Sequence, residues 1–221
     1  MNLLNQSVGW LARNIPGSTE IFRQYQLDFC CGGNQILRDV LEQKQLDADP
    51  IIARLESLQS QGTDERDWSL APRTALIHHI LTRFHDRHRQ QLPEVIMMAR
   101  KVEQVHRDHG DCPHGLAAHL EFMAHELEAH MRKEEMILFP MLQTHATVRQ
   151  VQAPISVMRH EHDQHGEALH HLADLTNDYK PPRGACNTWR ALYNNLEQLR
   201  DDLMQHIHLE HNILFADAGD S

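Results

Sequence analysis

Two stretches of the chain repeat one pattern. Residues 130 to 140 read HMRKEEMILFP, and residues 206 to 216 read HIHLEHNILFA. His130 and His206 are each followed four places on by a glutamate, Glu134 and Glu210, and then by a Leu-Phe pair. Each stretch also has an upstream partner, because FHDRH holds His85-Asp86-Arg87-His88 and EHDQH holds His162-Asp163-Gln164-His165. His85 and His130 lie 45 residues apart, His162 and His206 lie 44. Four histidines, two glutamates and two Leu-Phe pairs therefore superpose with one indel, which marks a duplicated helix hairpin. Imidazole and carboxylate are the side chains that ligate metals and carry protons, and a His and a Glu four apart share a helix face.

The neighbouring residues put that face inside. One stripe runs Leu120, Met123, Leu127, His130, Glu134, Leu138, and its counterpart runs Leu199, Leu203, His206, Glu210, Leu214. A buried carboxylate beside a buried imidazole is costly unless it is paired or metal-bound. Two glutamates and at least four histidines meeting on a bundle axis would hold two metals. Each metal would take two imidazole nitrogens, both carboxylates would bridge, and open positions would remain for oxo, water or a small ligand. His88 and His165 lie one turn beyond His85 and His162 on the same stripe, and three roles stay open for them: ligand, partner of a ligand, or core polar residue. Asp86 and Asp163 are expected to face solvent. His78, His79, His125, His170, His171, His208 and His211 read as surface or partly packed, and Met97, Met98, Met123, Met141 and Met158 as core filling.

The donor set narrows the metal. Structural zinc usually takes cysteine-rich, closed tetrahedral ligation, and the chain has no CxxC. Nitrogen and oxygen donors in a helix bundle suit iron first and manganese second. The zinc-protease pattern H-E-x-x-H is absent, since HELEAH and HEHDQH place the second His at i+5, about 140° around the helix.

Four long helical stretches must position these residues, at roughly 73–108, 114–146, 153–178 and 184–216, separated by HGDCPHG, THATVRQVQAP and YKPPRG. The expected fold is all-α, an antiparallel four-helix bundle over 73–216 preceded by a small helical domain over 1–60. Residues 61–72, polar and closed by Pro72, read as a linker. In the small domain Ser18-Thr19 suggest one N-cap, and Asp49 with Pro50 at the first helical position another. Within it, LDFCCGG carries the adjacent thiols Cys30 and Cys31. Such neighbours bridge one another poorly. Gly32-Gly33 would let the backbone approach a ligand or partner closely, and a helix starting near Gly33 or Asn34 would lower the thiol pKa. The pair reads either as a redox-active or metal-handling site or as two small buried residues. Cys112 and Cys186 fall near loops, which assigns them no role.

Net charge is −10 with neutral His, which argues against nucleic acid or an anionic membrane surface as a partner. No apolar run approaches the roughly 20 residues of a membrane span, and the N-terminal stretch lacks a cationic leader region. Cysteines scattered apart from the adjacent pair Cys30-Cys31 fit a reducing cytoplasm. The outlier is histidine: 19 residues against 21 Lys plus Arg.

Together, DFCCGG, FHDRH, HMRKEEMILFPM, PISVMRHEHD and HIHLEHNILF resemble the repair-of-iron-centres family across essentially the whole chain. The resemblance implies an ScdA-type N-terminal domain and a hemerythrin-like bundle with two non-haem irons, oxo- and carboxylate-bridged. Carried over by position, the iron ligands fall on His85, His130, Glu134, His162, His206 and Glu210, with Glu134 and Glu210 as bridges. It implies a cytoplasmic stress protein that restores iron–sulfur clusters damaged by nitric oxide or oxidants, by supplying iron or removing NO, with Cys30-Cys31 contacting the client. Damaged iron–sulfur proteins would be its partners, NO or O2 its small ligands, and a homodimer is open to it. A conventional turnover enzyme is not expected. Competing readings are a hemerythrin-like O2 or NO sensor and a di-iron NO reductase. One departure stands out: Ala216 replaces the proline that comes after the first Leu-Phe pair, which should alter how the last helix ends.

Overall fold

The structure is a computed structural model that describes residues 2–61, 66–144 and 146–216. Among the described residues the regular elements are all helical, apart from an isolated bridge between Ser7 and Ile36. The chain runs α1 (Val8–Asn14), α2 (Ser18–Gln24), α3 (Leu37–Gln43), α4 (Ala48–Gln61), α5 (Arg73–Ile80), α6 (Asp86–Val105), α7 (Leu116–Lys133), α8 (Phe139–Gln143), α9 (Val148–Leu175) and α10 (Asn187–His208). Short 3-10 turns at Leu3–Asn5 and Trp68–Leu70 and wide π turns at Leu81–His85, Glu134–Leu138 and Leu209–Leu214 complete it. None of the described helices is long and apolar enough to cross a membrane. Part of the expected 61–72 linker, residues 62–65, lies outside the described residues, as does the chain after Ala216 where the missing proline would act.

Packing divides the chain into two units, Met1–Leu76 with Met204–Ser221, and Ile77–Leu203. In the second, long helices pair antiparallel. Arg89 and Arg100 of α6 reach Glu128 and Glu121 of α7, and the sequence offsets run in opposite directions. His119 of α7 meets Ala168 of α9, while His130 meets Glu161. Gln91 and Met98 of α6 meet Asp202 and Asn195 of α10. The expected stripes are the buried ones: Leu120, Leu127, Leu138, Leu199, Leu203 and Leu214 are each no more than 2 % exposed. Met97 departs from the core role expected of it and is 66 % exposed.

Proline misplaced one boundary. The third helix begins at Val148, not near Ala153, because Thr147 and Gln150 form a reciprocal capping box that opens it. Pro154 then lies inside the helix, in its second turn, where it supplies no N–H to the helical ladder. Between α9 and α10, Asn177, Asp178 and Tyr179 are left-handed in succession, with φ of 48°, 54° and 60°. The Thr176 hydroxyl accepts the Tyr179 N–H at 3.2 Å and donates to the Leu172 carbonyl at 2.8 Å, which fixes that turn.

In the first unit, Leu11, Ile15, Phe22, Phe29, Leu37, Leu41, Ile51 and Leu55 form one core, with Met204 packed against it. The expected caps move. Gly17 precedes α2 in a left-handed conformation, and Ser18 instead donates its hydroxyl to the Leu11 carbonyl. The Asp47 carboxylate, not Asp49, opens α4 by accepting the Asp49 N–H at 3.1 Å, which places Pro50 in the first turn, where a missing N–H costs little. The glycine pair has a local reason. Gly9 donates its N–H to the Gly33 carbonyl at 2.8 Å, and a Cβ on Gly33 would stand 3.1 Å from the Gly9 Cα and 3.0 Å from the Phe29 carbonyl oxygen. The close approach is to the chain's own helix α1. His208, expected near the surface, is buried edge-on to the Phe29 ring at 5.6 Å.

Two outcomes are expected. Gly33→Ala should destabilise the first unit by about 1–3 kcal/mol, since two backbone segments must separate; denaturant unfolding measures it. Burial pushes the Tyr179 phenol well above its ordinary value despite the Arg200 guanidinium over its ring. Unfolded tyrosine ionises near pH ~10 while Tyr179 stays protonated in the fold. Stability should therefore fall as pH rises past about 10, and Tyr179→Phe should flatten that slope.

Candidate metal centre

The sequence-predicted residues His85, His130, Glu134, His162, His206 and Glu210 are all buried, none more than 1 % exposed. They form two groups, His85, Glu134, His206, Glu210 and His130, Glu134, His162, Glu210, within each of which the donor atoms lie within 4.8 Å of one another. Glu134 and Glu210 belong to both. His85 Nε2 and His130 Nε2 each stand 3.4 Å from Glu134 Oε2, and His206 Nε2 stands 3.0 Å from Glu210 Oε1. Ligands about 2.1 Å from one ion and 90–110° apart are about 3.0–3.4 Å from each other. The donor spacing thus fits a cation among them. Four nitrogens and two carboxylates, without thiolate, suit borderline divalent metals such as iron or manganese.

Wide turns sit where the candidate donors are. The segment Leu81–His85 ends on His85, Glu134–Leu138 begins on Glu134, and Leu209–Leu214 contains Glu210. The Phe215 N–H reaches back to the Glu210 carbonyl at 2.8 Å, five residues away. Such turns recur at functional sites because the extra residue rotates the side chains downstream of it. The result is visible in burial: both members of Leu138-Phe139 and of Leu214-Phe215 are inside, where a regular helix would turn one of each outward. His162 differs, lying in unbroken α-helix.

Two carboxylates that sequence reasoning missed hold the imidazoles from behind. His85 donates Nδ1–H to Glu135 Oε1 at 2.8 Å, and His130 donates Nδ1–H to Glu161 Oε2 at 2.9 Å. That leaves both Nε2 lone pairs directed toward Glu134, the tautomer a metal requires. Glu135 also accepts from Arg89 at 2.9 Å, and Arg89 is braced by Glu128. Burial works upward on the Glu135 carboxyl, but the hydrogen bonds from Arg89 and His85 outweigh it and hold it below its usual value. At Glu161 the His130 hydrogen bond dominates, burial opposes, and Lys133 adds to it, bringing the carboxyl to about 2. The only sequence signal was adjacency: Glu135 comes directly after Glu134, and Glu161 directly before His162. Asp86 and Asp163 are exposed, as expected.

His88 and His165 are buried but belong to neither group. His165 stands edge-on to His130 at 5.1 Å and His88 lies near Phe84. A cavity of about 400 Å³, lined by His119, Glu126, Glu161, Gln164, His165 and His171 among others, opens between α7 and α9 on the outer side of His130.

The thiol pair is arranged otherwise than its sequence suggested. The next helix begins at Leu37, not at Gly33 or Asn34. Asp28 fills the turn instead. Its Oδ1 accepts the N–H groups of Cys30 and Cys31 at 3.0 and 3.1 Å, and its Oδ2 accepts the Gly32 N–H at 2.9 Å. Cys30 is buried, with Sγ 3.2 Å from Asp28 Oδ1 and 3.6 Å from Cys31 Sγ. Its hydrogen bond with Cys31, its burial and the nearby Asp28 charge raise the thiol pKa well above the usual value, opposite to expectation. Elsewhere, Cys186 Sγ lies 3.2 Å from His106 Nε2, while Cys112 is buried.

Comparison with known proteins agrees with this layout. Residues 76–218 match the Hemerythrin HHE cation binding domain, and residues 4–59 match ScdA_N, a domain of unknown function. The chain is similar to proteins named iron-sulfur cluster repair protein YtfE. It is 53% identical to that of Pectobacterium atrosepticum over 97% of this chain and 96% of the relative. It is 51% identical to that of Yersinia pseudotuberculosis and 50% to that of Musicola paradisiaca, in both cases over 99% of this chain and 98% of the relative.

Replacing Glu135 or Glu161 by Gln should weaken divalent-metal binding by about 10–100-fold with the helix content intact, because the imidazole loses its charged anchor. Competition against a ferrous chelator measures it. Unchanged affinity in both variants would separate these carboxylates from metal binding.

Proposed function

We propose, from the premise that this chain belongs to the family of YtfE iron–sulfur cluster repair proteins and carries their hemerythrin HHE cation-binding bundle, that it restores iron–sulfur clusters damaged by nitrosative and oxidative stress. His85, His130, His162 and His206 with Glu134 and Glu210 would hold a pair of non-haem irons, the two glutamates being common to both donor groups. The observation that carries this reading is the sharing of those two buried glutamates by two His/Glu donor groups. When bound, the irons supply labile metal for a damaged cluster and open positions for NO or O2.

The chain's own residues set that lability. His85, His130, His162 and His206 offer neutral nitrogen donors. Ferrous iron sits low in the affinity order of divalent metals, so a site of imidazole and carboxylate holds it reversibly where thiolates would grip softer ions. Glu135 and Glu161 accept hydrogen bonds from the Nδ1–H groups of His85 and His130 and keep each ring aimed. Both anchoring carboxylates are partly exposed while the ligands are not, so proton balance reaches solvent through the outer shell and the donors stay dry. Four cysteines, scattered apart from the adjacent Cys30-Cys31, fit work in a reducing cytoplasm.

Metal analysis of the purified protein should find about two irons per chain, as other paired-carboxylate bundles hold. Glu134→Leu and Glu210→Leu should each lose that iron and lower the restoration of an NO-damaged iron–sulfur enzyme more than tenfold. Repair that persists without iron, or a single zinc in place of the pair, would overturn the reading.

A further inference from the structure

The His/Glu centre makes no use of Cys30, Cys31 and Asp28, and their spacing resembles that of a chelate. We propose that the two sulfurs and the Asp28 carboxylate hold one thiophilic divalent cation of the zinc or cadmium type, in a site separate from the His/Glu centre. The inference rests on the N-terminal turn alone.

Two thiolates bound at about 2.3 Å to one tetrahedral ion stand about 3.8 Å apart, and a carboxylate oxygen at about 2.0 Å stands about 3.5 Å from each sulfur. The observed separations are 3.6 Å between the sulfurs and 3.2 Å from Cys30 Sγ to Asp28 Oδ1. Both separations from Cys30 Sγ lie within about 0.2–0.3 Å of the values for donors on one metal. A disulfide would need the sulfurs to close to about 2.0 Å across a strained ring. The spacing therefore favours capture of an ion over bond formation.

The donors are also held in place. Asp28 is pinned by three backbone N–H groups, and Gly33 is fixed against Gly9. The Phe29 carbonyl between them accepts the Asn212 amide at 3.0 Å. Little ordering remains to be done at binding, which is where most of the cost of a chelate lies. The charge balance closes as well. Two S–H bonds break, two protons leave to solvent, two metal–sulfur bonds form, and no electron moves. A dication replaces two protons, so the turn keeps its single net negative charge. Cys31 is half-buried and gives the ion a way in, while three protein donors leave a fourth position for an outside ligand.

The test is a cadmium titration of the full chain with its iron loaded, in a Cys112→Ser/Cys186→Ser background, monitoring the sulfur-to-cadmium charge-transfer absorption. One cadmium per chain with two thiolates is expected, with affinity falling as pH drops because protons compete for sulfur. Cys31→Ser should weaken binding more than tenfold, and Asp28→Asn should weaken it severalfold with both thiols still present. Because Cys30 is buried and its replacement could disturb the fold, Cys31→Ser decides. No sulfur band in the background protein, or an unchanged band in Cys31→Ser, would overturn the proposal. Iron content read in the same samples keeps the two ideas apart, since a chain that lacks iron but shows the band loses the di-iron reading and keeps this one.

Discussion

Two carboxylates without solvent access, set among four imidazoles, are the constraint around which the rest of this protein is arranged. Removing Glu134 and Glu210 from water costs several kcal/mol each unless positive charge meets them. The imidazoles cannot supply it alone, because those anchored by Glu135 and Glu161 spend their one proton outward and present a lone pair inward. A cation completes the balance. The helices obey the same demand, since each must bring its polar residue onto a stripe that is otherwise leucine and methionine. The outer shell obeys it too: Arg89 and Lys133 sit near the surface, where their charge is solvated, and act on the interior only through a carboxylate and a ring.

Much of this could be read from the chain because a duplication writes its constraints twice. A single His and Glu four apart would have carried little weight. The recurrence of both, with His85 and His162 upstream and the same apolar stripe beneath, picked out the six residues that the fold brings together. What stayed hidden depends on tertiary neighbours. Glu161 matters because α9 lies against α7 and brings it to His130; nothing in its own helix announces that. Asp86, next to the candidate donor His85 in the same way, faces solvent.

Local punctuation was the weaker guide. Proline at 154 looked like a helix start, yet the Thr147–Gln150 box opens the helix earlier. Asp47 and Asp49 are both capping types, and the first was the one used. The glycines after the thiol pair suggested an approach to a partner, and the partner turned out to be Gly9. In the same turn, the expected source of positive potential is replaced by an aspartate, which reverses the electrostatics around Cys30. A turn whose amides are already occupied by its own carboxylate offers no seat to phosphate or other anions, so it selects visitors by the sign of their charge before their size.

The wide turns at Glu134–Leu138 and Leu209–Leu214 carry a consequence for how such a chain can change over time. Each holds one residue more than a regular helical turn would. Losing one residue there would return the helix to its ordinary pitch and abolish the wide turn at Glu134 or Glu210, while the helix beyond keeps its phase. Substitutions in these turns can be absorbed one side chain at a time, but a single-codon deletion cannot. The two halves of the repeat are free to drift in letters, and far less free to drift in count.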